Sequence, residues 1–190
     1  MSRYKKNLKI LEKENVYSKE MEHDACGVGL VASTEGKKSR KVVEYGIEAL
    51  KAVWHRGAVD ADGKTGDGAG IHLEIPKDFF SEKIELTGHN YDDSEICIGM
   101  IFLPRNNYSA QENSRTLVEK ELTKSNFSIY GWRQVPVNPK VLGEKAERTR
   151  PEITQVLFKH NDKKLSNKNL EVKLYESRRK IEKEASIINL

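Results

Sequence analysis

The sequence predicts an α+β domain: an antiparallel sheet with helices packed on one face. Three observations predict it. Short apolar runs bounded by Gly, Pro or Asn alternate with amphipathic stretches along the chain. The strand-like runs alternate in polarity more than the central strands of a parallel sheet do. Finally, 190 residues with a 37% hydrophobic fraction fit one domain, or one domain with an appendage.

Taken in order, "CGVGLVAS" from Cys26 reads as a buried strand. Its two glycines weaken a strand and imply close approach of another backbone or a ligand. "SRKVVEYGIEALKAVWHRG" predicts a helix, with Val43, Ile47, Leu50 and Trp54 at helical spacing, Ser39 as cap and Gly57 as stop. Gly46 is a mild defect inside it. "AVDADGKTGDGAG" is a loop, "IHLEIP" a second strand ended by Pro76, and "KDFFSEKI" a short helix. "EICIGMIFLP" is the next strand. "SAQENSRTLVEKELTKS" is an amphipathic helix burying Leu117, Val118, Glu121 and Leu122 along one stripe. "FSIYGWRQVPV" is a strand with an irregularity at Gly131, "VLGEKAERTRP" a short connection with helical character, and "EITQVLFKH" a further strand. "LEVKLYESRRKIEKEASII" closes the chain as a helix with Leu170, Leu174, Ile181, Ala185 and Ile188 on one side. The pattern thus contains roughly five strands and four helices. The last helix carries an apolar stripe in need of a partner, and no polar tail follows it, so the chain reads as a fragment of a longer domain.

Composition excludes several functions. Charged residues make up 33%, but the signs are interspersed and the formal net charge is only +4, which is a solvated surface and not a nucleic-acid footprint. The sharpest basic run, Arg178-Arg179-Lys180, is flanked by Glu176 and Glu182. The two cysteines, Cys26 and Cys97, form no C-x-x-C pair and no disulfide framework, so the expected compartment is the reducing cytoplasm. No apolar run approaches the roughly 18 residues of a membrane span. Residues 1–25 lack the apolar centre of a secretory signal, and their acidic residues argue against a transit peptide.

Cys26 is the first candidate for chemistry. Attached to its leader, it is ordinary core material, because burial raises a thiol pKa and leaves it inert. A base such as His23 or His55 would activate it. So would cleavage after Ala25, which would make Cys26 the first residue and give it an α-amine of pKa near 8 that takes the thiol proton. Arg56 in "HRG" either complements a helix C-terminus or grips a carboxylate with its two-pronged guanidinium. "TGDGAG", from Thr65 to Gly70, lacks the lysine and serine of a phosphate-binding loop, and its aspartate repels phosphate. It is either a tight loop or a glycine-rich wall of a substrate pocket. His72, Cys97 and His160 read as strand side chains, and Trp54 and Trp132 as packing residues. His23, Asp24, His55 and His72 share no metal-ligand spacing on one element.

Together, "DACGVGL", "HRGA" and "ADGKTGDGAGI" resemble the start of the class II glutamine amidotransferase domain of glutamate synthase large subunits, within the N-terminal-nucleophile hydrolases. "YGWRQVPVN", the following "LG" and "RPEITQVLF" carry the similarity from about Tyr17 to the last residue. The resemblance implies an αββα sandwich of two antiparallel sheets between helical layers. It implies a propeptide at 1–25 and the first part of the amidotransferase domain at 26–190. It makes Cys26 catalytic, attacking the side-chain amide of glutamine. Arg56, Gly27, Thr65, Gly66, Asp67 and Gly68 fall at the substrate pocket, with no metal. FMN and an iron–sulfur cluster belong to the full-length family, where ammonia meets 2-oxoglutarate, and not to this segment. The implied partners are glutamine and the remainder of the large subunit or a complementary chain, with neither nucleic acid nor membrane. The family's Asn-Gly oxyanion pair lies in a later segment, and no "NGE" occurs here, so the chain alone is expected to be inactive. The competing expectations are a non-catalytic fragment or interaction module, motivated by the stripe on the last helix, and a nucleotide-binding module built on "TGDGAG".

Overall fold

The computed structural model describes residues 27–54, 57–66 and 68–188. The chain divides into two units, residues 1–58 with 67–71, and residues 59–66 with 72–190.

In the first unit the expected helix forms as α1, Arg40–Ala52. Ser39 stays extended and its hydroxyl accepts a hydrogen bond from the Lys41 N–H at 3.2 Å, satisfying a donor that the first turn leaves open. Gly46 has a packing reason: a Cβ there would lie 3.1 Å from Ile71 Cδ1. The helix ends at Ala52, before the expected stop at Gly57, and Trp54 is exposed where packing was expected. The strand expected at 26–33 does not form over the described residues 27–33, where Val28 is 95% and Leu30 92% exposed. A strand needs a ladder partner for its backbone groups, and none lies beside this segment among the described residues.

The second unit is built on three strands: β1, Cys97–Leu103; β2, Phe127–Gln134; and β3, Glu152–His160. All pairs are antiparallel and the order is β1-β3-β2, so the strand with the most buried residues, β3, lies in the middle. Cys97 pairs with Phe158 and Leu103 with Glu152, while Phe127 pairs with His160. Helix α2, Lys77–Glu85, precedes β1; α3, Tyr108–Lys124, lies between β1 and β2; and the short α4, Glu144–Thr149, lies between β2 and β3. The chain closes with α5, Asn167–Ile187.

Strand alternation divides the apolar residues between the two sheet faces. One core joins Cys97, Phe127, Val156 and Phe158 to Val118 and Leu122 of α3 and Leu170 of α5. The other joins Ile96, Tyr130 and Leu157 to Phe80 and Ile84 of α2. Helices therefore cover both faces in part, which corrects the expected one-sided arrangement: α2 packs on the Leu157 face, opposite α3 and α5. Each fully buried Leu, Ile or Phe contributes about 1.5–3 kcal/mol. Helix α3 is capped by Asn107, whose Oδ1 accepts from the Ala110 N–H at 3.0 Å. It stops where Asn126 takes a left-handed φ of 66° just before β2.

Two further expectations are corrected. "IHLEIP" forms no regular strand; Ile75 packs on the second core while Leu73 remains exposed. The stripe on the closing helix is not unpartnered, because Leu170, Leu174 and Ile181 pack against the first core. Only its end departs from the pattern, with Ile188 exposed. That covering removes the feature that favoured an interaction module. No helix among the described residues is long and apolar enough to cross a membrane.

Candidate functional site

Of the residues expected at the site, Cys26, Arg56 and Asp67 lie outside the described residues, as do His23 and His55. Gly27 and Gly68 are described and exposed, with open space where a Cβ of Gly68 would stand. Thr65 and Gly66 belong to the second unit and have a defined geometry.

That geometry is a closed turn. Val59 and Gly66 form an antiparallel bridge, and the Asp60 N–H donates to the Thr65 carbonyl at 2.7 Å. The Gly63 N–H donates back to the Asp60 carbonyl at 2.9 Å, with Gly63 at φ +67°, a value that favours glycine. Asp62 fills the inside. Its Oδ1 accepts from the N–H groups of Lys64 at 2.9 Å and Thr65 at 2.7 Å, and its Oδ2 accepts from the Thr65 hydroxyl at 2.6 Å. These bonds, the Thr65 hydroxyl first, lower the Asp62 pKa to about 2, with a smaller contribution from the Glu144 N–H. The amides of Lys64 and Thr65, at the entry to the "TGDGAG" loop, are thus already given to a carboxylate of the chain itself, whose charge repels phosphate. This argues physically against the nucleotide-loop reading.

The turn is seated on the start of α4. Gly143 has an ordinary extended backbone, φ −73° and ψ 162°, so it is not required for its φ. It is required for space. A Cβ would lie 2.5 Å from the Thr65 amide nitrogen and closer still to Thr65 Oγ1 and Asp62 Oδ2. Two residues on, Lys145 Nζ reaches Asp60 Oδ2 at 2.5 Å. The sequence reading missed this contact. The only signal was the "LG" that precedes the helical "EKAERT".

The remaining candidates are structural. Cys97 is buried, and burial pushes its thiol up to about 12, so it is an inert core residue as expected. His160 Nδ1 accepts from the Asp162 N–H at 3.1 Å and its ring meets Phe127 edge-on, closing the end of β3. His72 is exposed. Asp92, which drew no attention in the sequence, is a hub: Tyr130 Oη donates to it at 3.1 Å, Lys159 Nζ at 2.8 Å, and Lys163 Nζ lies 3.0 Å away. The two lysines and neighbouring hydroxyls hold the Asp92 carboxyl well below the usual range, while burial first, then the Asp92 charge, push the Tyr130 phenol upward. A polar cleft of about 540 Å³ includes Arg105, Arg115 and Arg133 in its lining. Those guanidinium groups are already paired with Glu147, Glu112 and Gln155. An iron–sulfur cluster is held by four cysteines; this chain has two, so its residues do not fit one. Among the described residues no group of three His, Cys, Asp or Glu side chains could hold a metal ion.

Comparison with known proteins adds the family. The model of the class-II glutamine amidotransferases matches residues 26–189, beginning at Cys26 itself. The chain belongs to the class-II glutamine amidotransferases, and its mixed helical and antiparallel architecture is that of their N-terminal-nucleophile hydrolase fold. Within that class it is similar to glutamate synthases. It is 53% identical to the glutamate synthase [NADPH] large chain of Azospirillum brasilense over 180 residues, 95% of this chain and 12% of the relative. It is 36% identical to the ferredoxin-dependent glutamate synthase of Pyropia yezoensis, over 92% of this chain and 11% of that one. The corresponding NADPH large chain of Bacillus subtilis is 34% identical over 89% of this chain and 11% of its own length. The chain therefore spans about an eighth of the length of the relatives it matches (12% of the first).

Proposed function

We propose that the chain supplies the nucleophile and part of the pocket of a glutaminase that feeds ammonia to glutamate synthesis. The observation that carries this reading is the family match beginning at Cys26, the residue whose exposure as a chain terminus gives it its own base. The Cys26 α-amine takes the thiol proton, and the thiolate attacks the side-chain carbonyl carbon of glutamine. The tetrahedral intermediate collapses, its C–N bond breaks, and the amine returns the proton to the departing ammonia. Water then attacks the glutamyl thioester, releasing glutamate and restoring the thiol.

Arg56 shapes the pocket beside the nucleophile, and Gly27, Thr65, Gly66, Asp67 and Gly68 let main chain approach the substrate closely. The oxyanion donors come from residues beyond this chain, so it turns over only with the remainder of the domain, from one longer polypeptide or a complementary chain. Residues 1–25 are a propeptide. The flavin, the iron–sulfur cluster and the conversion of 2-oxoglutarate belong to the larger enzyme, in the cytoplasm.

The test is glutamine hydrolysis by the completed domain with Cys26 intact or replaced. Cys26→Ser and Cys26→Ala are expected to lose activity by at least about a thousandfold, as removal of a nucleophile does. Ammonia release by Cys26→Ala at the wild-type rate would refute the reading.

A further inference from the structure

The closed turn at Asp60–Gly66 touches the start of α4 through contacts that leave no slack. Gly143 presents its bare Cα to the ring formed by the Asp62 carboxylate and the Thr65 amide and hydroxyl. The Glu144 N–H faces the same carboxylate, whereas Lys145 forms only an exposed ion pair with Asp60, outside this contact. Thr65 is thereby fixed at three atoms: its N–H and hydroxyl by Asp62, its carbonyl by the Asp60 N–H. Gly66 is fixed by its bridge to Val59. Gly66 is thus held both by that bridge and by the fixed Thr65 before it.

A turn that only joined two elements would not need this. An exposed aspartate in a loop ordinarily spends one oxygen on a local amide. Here both oxygens of Asp62 serve the same threonine, and a glycine on another element is emptied of its side chain to admit them.

We propose that Asp62, seated against Gly143, is a positioning residue that preforms the Thr65–Gly66 segment for substrate, so that the loop is ordered before glutamine arrives. The inference rests on the glutaminase reading above. It predicts that loosening the seat is felt in substrate binding more than in the chemical step, because ordering the loop must then be done at the expense of binding.

The experiment uses the completed amidotransferase domain with Asp62→Asn, Gly143→Ala and Lys145→Ala, measuring glutamine KM and kcat, amide hydrogen exchange at Lys64 and Thr65, and the thermal midpoint. Asp62→Asn is nearly isosteric and removes the charge and half of the acceptor capacity. It is expected to speed exchange at Lys64 and Thr65 and to raise KM about tenfold with kcat within about twofold, since small misplacements of binding groups carry costs of this order. Gly143→Ala is expected to do the same; if it does not fold, Asp62→Asn decides. Lys145→Ala, which removes only an exposed ion pair, is expected to leave both constants near wild type. Faster exchange with unchanged KM, or unchanged exchange, would overturn the inference while leaving the glutaminase reading intact. A wild-type domain that turns over no glutamine would overturn both.

Discussion

Gly131 carries the methyl of Thr87 against its Cα. At the point where β2 shifts register between Ile129 and Gly131, the backbone takes φ +149°, and an added Cβ would lie 2.9 Å from Thr87 Cγ2. The bulge and the close approach both need glycine. Gly131→Ala is expected to destabilise by about 1–3 kcal/mol, the usual cost of overpacking. Denaturant unfolding reads this as a lower midpoint at unchanged slope. Adding Thr87→Ser, which deletes the methyl but keeps the hydroxyl bond to the Ile84 carbonyl, should recover part of the loss. No recovery would mean that backbone conformation alone explains the glycine.

The Asp92 hub predicts a pH dependence. Its carboxyl titrates below its unfolded value, so its contribution to stability is fully present above pH ~4 and is lost as pH falls through the acid range. Asp92→Asn should therefore be less stable than wild type at neutral pH, and the gap should close on acidification. Unfolding curves between neutral and acid pH measure it. A constant gap would show that the lysines Lys159 and Lys163 contribute through packing and not through charge.

Cys97 is expected to resist alkylation in the folded protein at neutral pH, because it is 3% exposed and its thiol is pushed up to about 12. Its labelling rate should match that of global unfolding. Cys97→Ser should cost about 1–3 kcal/mol by burying a hydroxyl in an apolar site. Rapid native labelling of Cys97 would contradict its placement in the core between β1, α3 and α5.

The sequence made the second unit legible because its apolar residues find partners within it. The strands at Cys97 and Glu152, the stripe of Val118, Glu121 and Leu122, and the irregularity at Gly131 all follow from periodicity and turn chemistry. The segments at 27–33 and 71–76 have the same apolar character but no ladder among the described residues, and composition alone cannot supply a partner. Motif resemblance singled out Thr65 and Gly66, but not the closed turn that holds them. Gly143 was not legible, since its role is to leave room for residues far earlier in the chain, a contact that no local pattern encodes.

The central claim is that Cys26 acts as an amino-terminal nucleophile. The most direct measurement is intact mass with N-terminal sequencing of the completed domain after reaction with a glutamine-analogue electrophile. A chain that begins at Cys26 and carries one adduct on that residue, with Cys97 unmodified, is expected. A chain that retains residues 1–25 and hydrolyses glutamine unimpaired, or an adduct on any other residue, would contradict that claim.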